Sequence, residues 1–161
     1  AKQKYGLDRI AIVDFDVHHG NGTEDIVLDR QGYLFLSTFQ HPFYPFSGTG
    51  PTPPHIVNSP LPASADSSVF RHTIEQTWIP ELENFRPELL FISAGFDAHW
   101  EDEISQVCLE EQDYRWVTDV LKDIADKYAS GRIISVLEGG YALGALGRSV
   151  VAHLHGLIGR E

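Results

Sequence analysis

Two acids and two histidines follow directly after a short apolar run near the start of the chain. The run is Ile10–Val13, and the sequence continues Asp14-Phe15-Asp16-Val17-His18-His19-Gly20-Asn21-Gly22-Thr23. Asp16 and His18 are two residues apart, so in an extended segment their side chains point to the same side. A carboxylate and an imidazole that converge in this way are suitable ligands for a divalent metal ion. The stretch therefore predicts a metal site, with the alternative that both residues only cap the following segment.

A second apolar run leads into an acid in the same way. Leu89–Ala94 is followed by Gly95-Phe96-Asp97-Ala98-His99. In open α/β sheets, ligands gather at the carboxyl ends of the strands, so we expect Asp97 to join Asp16 and His18. Three protein ligands that leave a position for water are typical of a catalytic zinc site rather than a structural one. A divalent ion held there would activate water and polarise a substrate carbonyl.

A tyrosine follows a third run of this kind. Ile133–Leu137 leads into Glu138-Gly139-Gly140-Tyr141. The glycines allow the backbone to bring Tyr141 back over the sheet edge, where its hydroxyl could donate a hydrogen bond to a developing oxyanion. The alternative is that Tyr141 is an ordinary loop residue that only packs against its neighbours. His99 together with Asp97 suggests a two-metal site as a further possibility, but no further clustered acids support it. The acids in 101–111 are expected to form a solvated face.

The apolar patterns around these residues predict an α/β protein. Strands are predicted at 9–14, 33–39, 89–94 and 133–137. Helices are predicted at 24–28, 67–85, 110–130 and 143–157, and Pro80 is expected to kink or restart the second of them. The proline-rich segment 40–56 is expected to be a long functional loop. Strands that alternate with helices imply a parallel sheet covered on both faces, which is a three-layer α/β/α arrangement.

Composition narrows the class of protein. The 161 residues correspond to one domain, and the net charge of −11 argues against direct binding of nucleic acid. That charge is more compatible with a cationic ligand. The lone Cys108 excludes an internal disulfide and indicates a reducing, cytoplasmic setting. No apolar run approaches membrane-spanning length, so no membrane partner is expected.

The stretch Asp14–Thr23 resembles the metal-binding motif of the histone deacetylase superfamily, the zinc-dependent amidohydrolases of the arginase–deacetylase fold. Three further segments match in the family's order. They are Ser37–Gly50, which resembles the loop that lines the acyl tunnel; Ser93–His99, which resembles the segment of the third metal ligand; and Leu137–Tyr141, which resembles the catalytic-tyrosine loop. Asn21 and Glu138 are similar to the class II and bacterial branch.

The resemblance implies roles for individual residues. The implied ligands of one zinc ion are Asp16, His18 and Asp97, and the implied oxyanion donor is Tyr141. Positions that orient a pair of tandem histidines are matched by Asp14 and Asn21. A structural monovalent-cation (potassium) site is matched by Asp14, Asp16, His18, Ser37 and Thr38. The wall of the substrate tunnel is matched by Phe43, Tyr44, Gly139 and Gly140.

The resemblance also implies that residues 1–161 lack one part of the family's catalytic machinery. The family's general acid/base is a His-His dyad upstream of the metal motif, and His18-His19 cannot replace it because His18 is already the implied ligand. Because the chain begins at Ala1 and contains no methionine, we expect residues 1–161 to be the C-terminal part of a single deacetylase catalytic domain. Without the dyad, this truncated domain is expected to be weak or inactive. Its exposed sheet edge would allow association with another chain.

The implied activity is zinc-dependent hydrolysis of an acetyl amide on lysine or a related amine. Two alternatives remain open at this point. One is an amidohydrolase of the same fold that acts on acetylpolyamines or other small amides. The other is a non-catalytic domain that binds acylated ligands through a metal ion.

Overall fold

The computed structural model describes residues 1–159, and the last two positions of the predicted domain lie outside the described residues. Its strands are β1 (Ile10–Asp14), β2 (Tyr33–Gln40), β3 (Ile56–Leu61), β4 (Leu89–Ala94) and β5 (Ile133–Leu137). Its helices are α1 (Lys2–Tyr5), α2 (Asn21–Val27), α3 (Ser67–Phe85), α4 (Glu111–Tyr128) and α5 (Leu143–Ile158). Across residues 1–159, the helices are too short or too polar to span a membrane.

The strands form one parallel sheet in the order β3-β2-β1-β4-β5, which confirms the predicted α/β class. β1 lies at its centre, and Asp14 at the end of β1 pairs in register with Ser37 on β2 and Ser93 on β4. Because all strands run in the same direction, the loops that follow β1, β4 and β5 emerge at one edge. These are the loops that carry the candidate functional residues.

The strand β3 was not predicted from the sequence, which indicated four strands instead of five. Polar residues and a proline interrupt its apolar pattern, since it contains Asn58, Ser59 and Pro60. β3 is an edge strand that pairs only with β2. A proline is tolerated there because no further strand needs its backbone donor.

The larger core lies between one face of the sheet and helices α3 and α4. It includes Val13 and Ile92 from the sheet and Trp78 and Leu121 from the helices. The opposite face carries a smaller cluster, Val27, Phe35 and Ile56, beneath α2. Helices therefore lie on both faces, but Ile134 and Val136 of β5 are 45% and 53% exposed, so the second layer is incomplete over this part of the sheet.

One helix differs from its prediction in a way that has a clear physical reason. α3 runs without interruption through Pro80, so the expected restart at that residue is wrong. Phe70, Ile74, Trp78 and Leu82, each four residues from the next, are all buried on one face. This packing continues past the proline and offsets the backbone hydrogen bond that the proline lacks.

Helix α2 begins at Asn21 instead of residue 24, directly after the glycine of the motif. A side chain at Gly20 would place its Cβ 2.2 Å from Asp14 Oδ2, so the chain turns tightly against that carboxylate. The helix starts early because the glycine permits this turn.

Candidate metal centre

The structure brings the three predicted ligands together at the carboxyl ends of β1 and β4. His18 Nδ1 lies 2.9 Å from Asp16 Oδ1 and 3.2 Å from Asp97 Oδ2. One ligand atom from each residue lies within 4.8 Å of the other two. Asp16 and His18 point to the same side after β1, while the intervening Val17 is buried in the core. This is the alternation that an extended segment requires.

Backbone amides fix the two carboxylates in place. Val17 N donates to Asp97 Oδ1 at 2.9 Å, and Gly139 N donates to Asp16 Oδ2 at 2.9 Å. The second oxygen of Asp97 is buried, and although His18 Nδ1 lies 3.2 Å away, this oxygen accepts no well-aligned hydrogen bond from the described residues. A buried carboxylate oxygen without a donor is costly, so this atom indicates that a positively charged group belongs beside it.

The electrostatics of the cluster agree with that indication. The hydrogen bond to Asp16, followed by the nearby carboxylate of Asp97, raises the pKa of His18 to about 10. Burial, followed by the negative charge of Glu138, raises the pKa of Asp14 well above its usual range. Within residues 1–159, the main groups that act on these carboxylates include no lysine or arginine. Two carboxylate oxygens and an imidazole nitrogen in such surroundings fit a divalent metal ion.

Glycine is required where the loop after β5 passes the cluster. A Cβ at Gly139 would lie 2.1 Å from Asp97 Oδ2 and 2.6 Å from Asp16 Oδ2. The next residue, Gly140, has a φ of 140°, which a residue with a side chain rarely adopts. The loop can therefore approach the predicted ligands closely because Gly139 lacks a side chain, and Gly140 permits the turn that follows.

Tyr141 follows these glycines, and its residue surface is 60% exposed. Burial of its hydroxyl, followed by the negative charges of Asp97 and Asp16, raises the pKa of Tyr141. The phenol therefore stays protonated at neutral pH and can act as a hydrogen-bond donor.

Two aromatic residues of the loop between β2 and β3 lie against His18. The Phe43 ring stacks on the imidazole with centroids 5.3 Å apart, and the Tyr44 ring meets it edge-on at 6.1 Å. Tyr44 is 66% exposed, whereas Phe43 packs against the core. Of these two residues matched to the tunnel wall, Phe43 has the closer contact with the His18 ring.

The family model described as histone deacetylase domain matches residues 1–157. The chain belongs to the histone deacetylase family. Type-2 histone deacetylase 2 of Dictyostelium discoideum is 42% identical over 95% of this chain and 10% of that protein. A probable deacetylase of Archaeoglobus fulgidus is 38% identical, over 89% of this chain and 42% of that protein. A histone deacetylase-like amidohydrolase of Pseudomonas aeruginosa is 34% identical, over 88% of this chain and 39% of that protein.

Solved structures of deacetylases give the same result for the fold. The crystal structure of the HDA15 HD domain has a TM-score of 0.90 and 30% identity, and the match covers 98% of this chain and 46% of that chain. The structure of the histone deacetylase Clr3 has a TM-score of 0.91 and 30% identity, and the match covers 99% of this chain and 29% of that chain. The arginase–deacetylase fold is thereby confirmed, and this chain spans less than half of each of the five proteins compared.

Of the five residues matched to the deacetylase potassium site, Asp16 and His18 belong to the metal cluster, and the other three lie on β1 and β2. Asp14 and Ser37 are register partners on β1 and β2, and Thr38 follows on β2. All three are buried, and Ser37 Oγ has no hydrogen-bond partner among the described residues. Asp14 Oδ1 accepts a hydrogen bond from Asp16 N at 3.1 Å. Asn21, which was matched together with Asp14, is exposed at the first residue of α2.

A second group of titratable side chains, formed by His99, Glu101 and Glu111, does not form another metal site. His99 Nδ1 accepts a hydrogen bond from Glu101 N at 3.1 Å, so in the neutral ring Nε2 carries the proton and faces Glu111 at 3.5 Å. Arg148 already pairs with both glutamates. A guanidinium thus occupies the place that a cation would need.

Asp102 was missed by the sequence analysis, and the expectation of a solvated acidic face is wrong at this residue. Asp102 is only 4% exposed. Its Oδ2 accepts hydrogen bonds from Tyr141 N at 2.6 Å and Ala142 N at 3.1 Å. These partners are 39 and 40 residues away in the chain, so no local pattern could have revealed them.

Proposed function

We propose that this chain forms the C-terminal part of a zinc-dependent deacetylase domain that hydrolyses an acetyl amide on lysine or a related amine. The observation that carries the proposal is the convergence of Asp16, His18 and Asp97, with a buried oxygen of Asp97 that lacks a donor. The relatives named deacetylase and amidohydrolase support the reaction class. The net charge of −11 is compatible with a substrate that carries positive charge.

In this proposal, Asp16, His18 and Asp97 hold one zinc ion, and the amides of Val17 and Gly139 keep both carboxylates in place. The bound ion would supply an activated water and polarise the acetyl carbonyl. Hydrolysis adds water across the amide, breaks its C–N bond and releases acetate and the amine.

Tyr141 and the aromatic wall act directly on the substrate. As the carbonyl oxygen gains negative charge, the Tyr141 hydroxyl donates a hydrogen bond to it, and the raised pKa of Tyr141 keeps that proton in place. Phe43, stacked on His18, and Tyr44 form an apolar wall that excludes water from the acyl group. The proton for the leaving amine comes from a general acid outside residues 1–159, so these residues alone should be weak or inactive.

We further propose a structural potassium ion held by Asp14, Asp16, His18, Ser37 and Thr38, mostly through backbone carbonyls. The buried Ser37 Oγ without a partner supports it, since a cation would satisfy this oxygen. The Asp14 carboxylate on the adjacent strand would compensate its charge.

The decisive test of the function is Tyr141→Phe in the complete catalytic domain that contains this chain. Loss of one oxyanion donor should lower kcat about 100- to 1000-fold on an acetyl-lysine peptide. Zinc content should be unchanged, because Tyr141 is not a ligand. Tyr5→Phe is the matched control, since Tyr5 at the start of the chain is similarly exposed, and this substitution should leave kcat unaltered.

Substrate profiling separates the alternatives. Faster turnover of acetylpolyamines than of acetyl-lysine peptides would replace the proposed substrate by a small amide. Stoichiometric zinc with binding of an acetylated peptide, but no release of acetate, would favour the non-catalytic domain.

A further inference from the structure

The buried carboxylate of Asp102 holds the backbone of the tyrosine loop. Oδ2 accepts from the amides of Tyr141 and Ala142 at 2.6 and 3.1 Å, and Oδ1 accepts from Ile104 N at 3.2 Å. Both oxygens are therefore used on backbone donors. Hydrogen bonds from N–H groups to an ionised carboxylate are about twice as strong as neutral ones.

The segment that carries Asp102 is itself fixed to the metal cluster. Its two ends pair through Trp100 N to Leu109 O and Leu109 N to Ala98 O, both at 3.0 Å. The Ser105 hydroxyl donates to the backbone oxygen of Asp97 at 3.0 Å. The position of Asp102 is thus coupled to that of a proposed zinc ligand.

The tyrosine loop is also held at Gly139, whose N–H donates to Asp16 Oδ2 and whose carbonyl accepts from Phe96 N at 2.7 Å, but this residue lies two positions before the phenol. Two glycines precede Tyr141, and the Tyr141 and Leu143 residues are 60% and 79% exposed. Packing alone therefore does not determine where the phenol lies. The amide hydrogen bonds to Asp102 fix the backbone from which this side chain projects.

We propose that Asp102 is a positioning residue for Tyr141, which keeps the phenol hydroxyl at the site of the developing oxyanion. The inference rests on the proposed function of Tyr141. A purely structural role is the competing explanation, because Ala142 is the N-cap of α5 and has no side-chain cap of its own. A carboxylate at this helix end would also stabilise α5.

A double-mutant cycle in the zinc-loaded complete domain separates these roles. A misplaced catalytic group costs about 100-fold in rate, so Asp102→Ala should lower kcat by about that factor with KM changed less than about twofold. In a Tyr141→Phe background, the same substitution should lower kcat by less than about threefold, because its effect passes through the missing hydroxyl. Asp102→Asn retains a carbonyl acceptor and should recover about tenfold of the loss.

Hydrogen exchange provides a readout that does not depend on activity. In Asp102→Asn and Asp102→Ala, the amides of Tyr141 and Ala142 should exchange at least about tenfold faster than in the wild type. The Val17 amide, which is bonded to Asp97, should be unchanged. Asp126→Asn is the matched control, since this exposed aspartate on α4 contacts Lys122 and not the loop.

The outcomes are distinguishable. Equal losses of kcat in the wild-type and Tyr141→Phe backgrounds, or unchanged exchange at Tyr141 and Ala142, would overturn the role of Asp102 alone. Full activity of Tyr141→Phe would overturn the proposed function of the tyrosine and this inference with it. If Asp102→Ala fails to fold, the Asp102→Asn cycle and its exchange rates decide.

Discussion

His18 and His153 are placed in opposite surroundings. His18 Nδ1 faces the carboxylates of Asp16 and Asp97, and these two acids, Asp16 first, raise its pKa to about 10. His153 on α5 lies between the hydroxyls of Thr118 and Ser135, at 2.6 and 2.8 Å, and burial lowers its pKa to about 4. One imidazole is held in its charged form when no metal is bound, and the other is held neutral.

Two neighbouring residues, Phe15 and Asp16, lead to these two surroundings: one packs in the core beside His153, and the other joins the cluster with His18. The Phe15 ring packs edge-on against His153 with centroids 5.9 Å apart, on the core side of the sheet edge. Its neighbour Asp16 points into the metal cluster. Alternation along the extended segment after β1 thus delivers one residue to the core and the next to the charged edge.

The largest expected effect comes from removing one acid that faces His18. Asp97→Asn preserves the volume and the acceptor for Val17 N but places an amide group where Oδ2 faces the imidazole. Loss of groups that only orient metal ligands costs about 10- to 100-fold in affinity. Loss of a ligand and its charge should therefore weaken zinc binding more than about 1000-fold, or about 4 kcal/mol. Competition with a chromophoric chelator measures it.

Asp119→Asn is the control for that experiment, since Asp119 pairs with Arg115 on the surface of α4. The control should bind zinc as the wild type does. If Asp97→Asn bound zinc within about 100-fold of wild type, which is the range of a residue that only orients a ligand, Asp97 would not be a zinc ligand.

A second prediction uses the neutral histidine. Because the pKa of His153 is about 4 in the folded protein against 6.5 ordinarily, unfolding takes up a proton between these pH values. The stabilising contribution is complete above pH 6.5 and is lost as the pH falls towards 4. The loss should reach about 3 kcal/mol, which denaturant unfolding of the metal-free domain at several pH values would measure.

His153→Gln is the comparison variant, because glutamine can bond to both hydroxyls but does not titrate in this range. The unfolding free energy of the wild type minus that of the variant should fall as the pH decreases from 6.5 to 4, because only the wild type carries the titrating histidine. Other groups titrate equally in both proteins and cancel. A difference that stays constant over this range would show that His153 is not held neutral by the fold.

Much of the cluster was accessible from sequence because each of its three residues follows the end of a predicted strand. The boundaries of β1 and β4 were within one residue of those observed, and the parallel sheet then required Asp16, His18 and Asp97 to share one edge. Local order along the chain and strand direction were sufficient for this part of the site.

The remaining parts depend on contacts between distant residues. Asp102 lies in an acidic segment whose composition indicates solvent, yet it is buried because the tyrosine loop folds over it. β3 has no strand-like pattern and forms because the edge of β2 offers backbone partners. The neutral state of His153 likewise depends on its burial, in a place where it meets Thr118 of α4 and Ser135 of β5. Tertiary packing determines these features, and periodicity does not encode it.

The smallest expected effect comes from two glycine substitutions, one at the charged edge of the sheet and one elsewhere in the fold. Gly139→Ala would place a methyl group 2.1 Å from Asp97 Oδ2, so the loop and the carboxylate must separate. Zinc affinity should fall about 10- to 100-fold, as when groups that orient metal ligands are lost.

Gly147→Ala is the matched control, because a Cβ there meets nothing within 4 Å on the exposed face of α5. It should leave zinc affinity unchanged and raise the unfolding free energy by about 0.5–1 kcal/mol through helix propensity. Equal zinc affinity of the two variants would mean that the loop after β5 does not constrain the ligands.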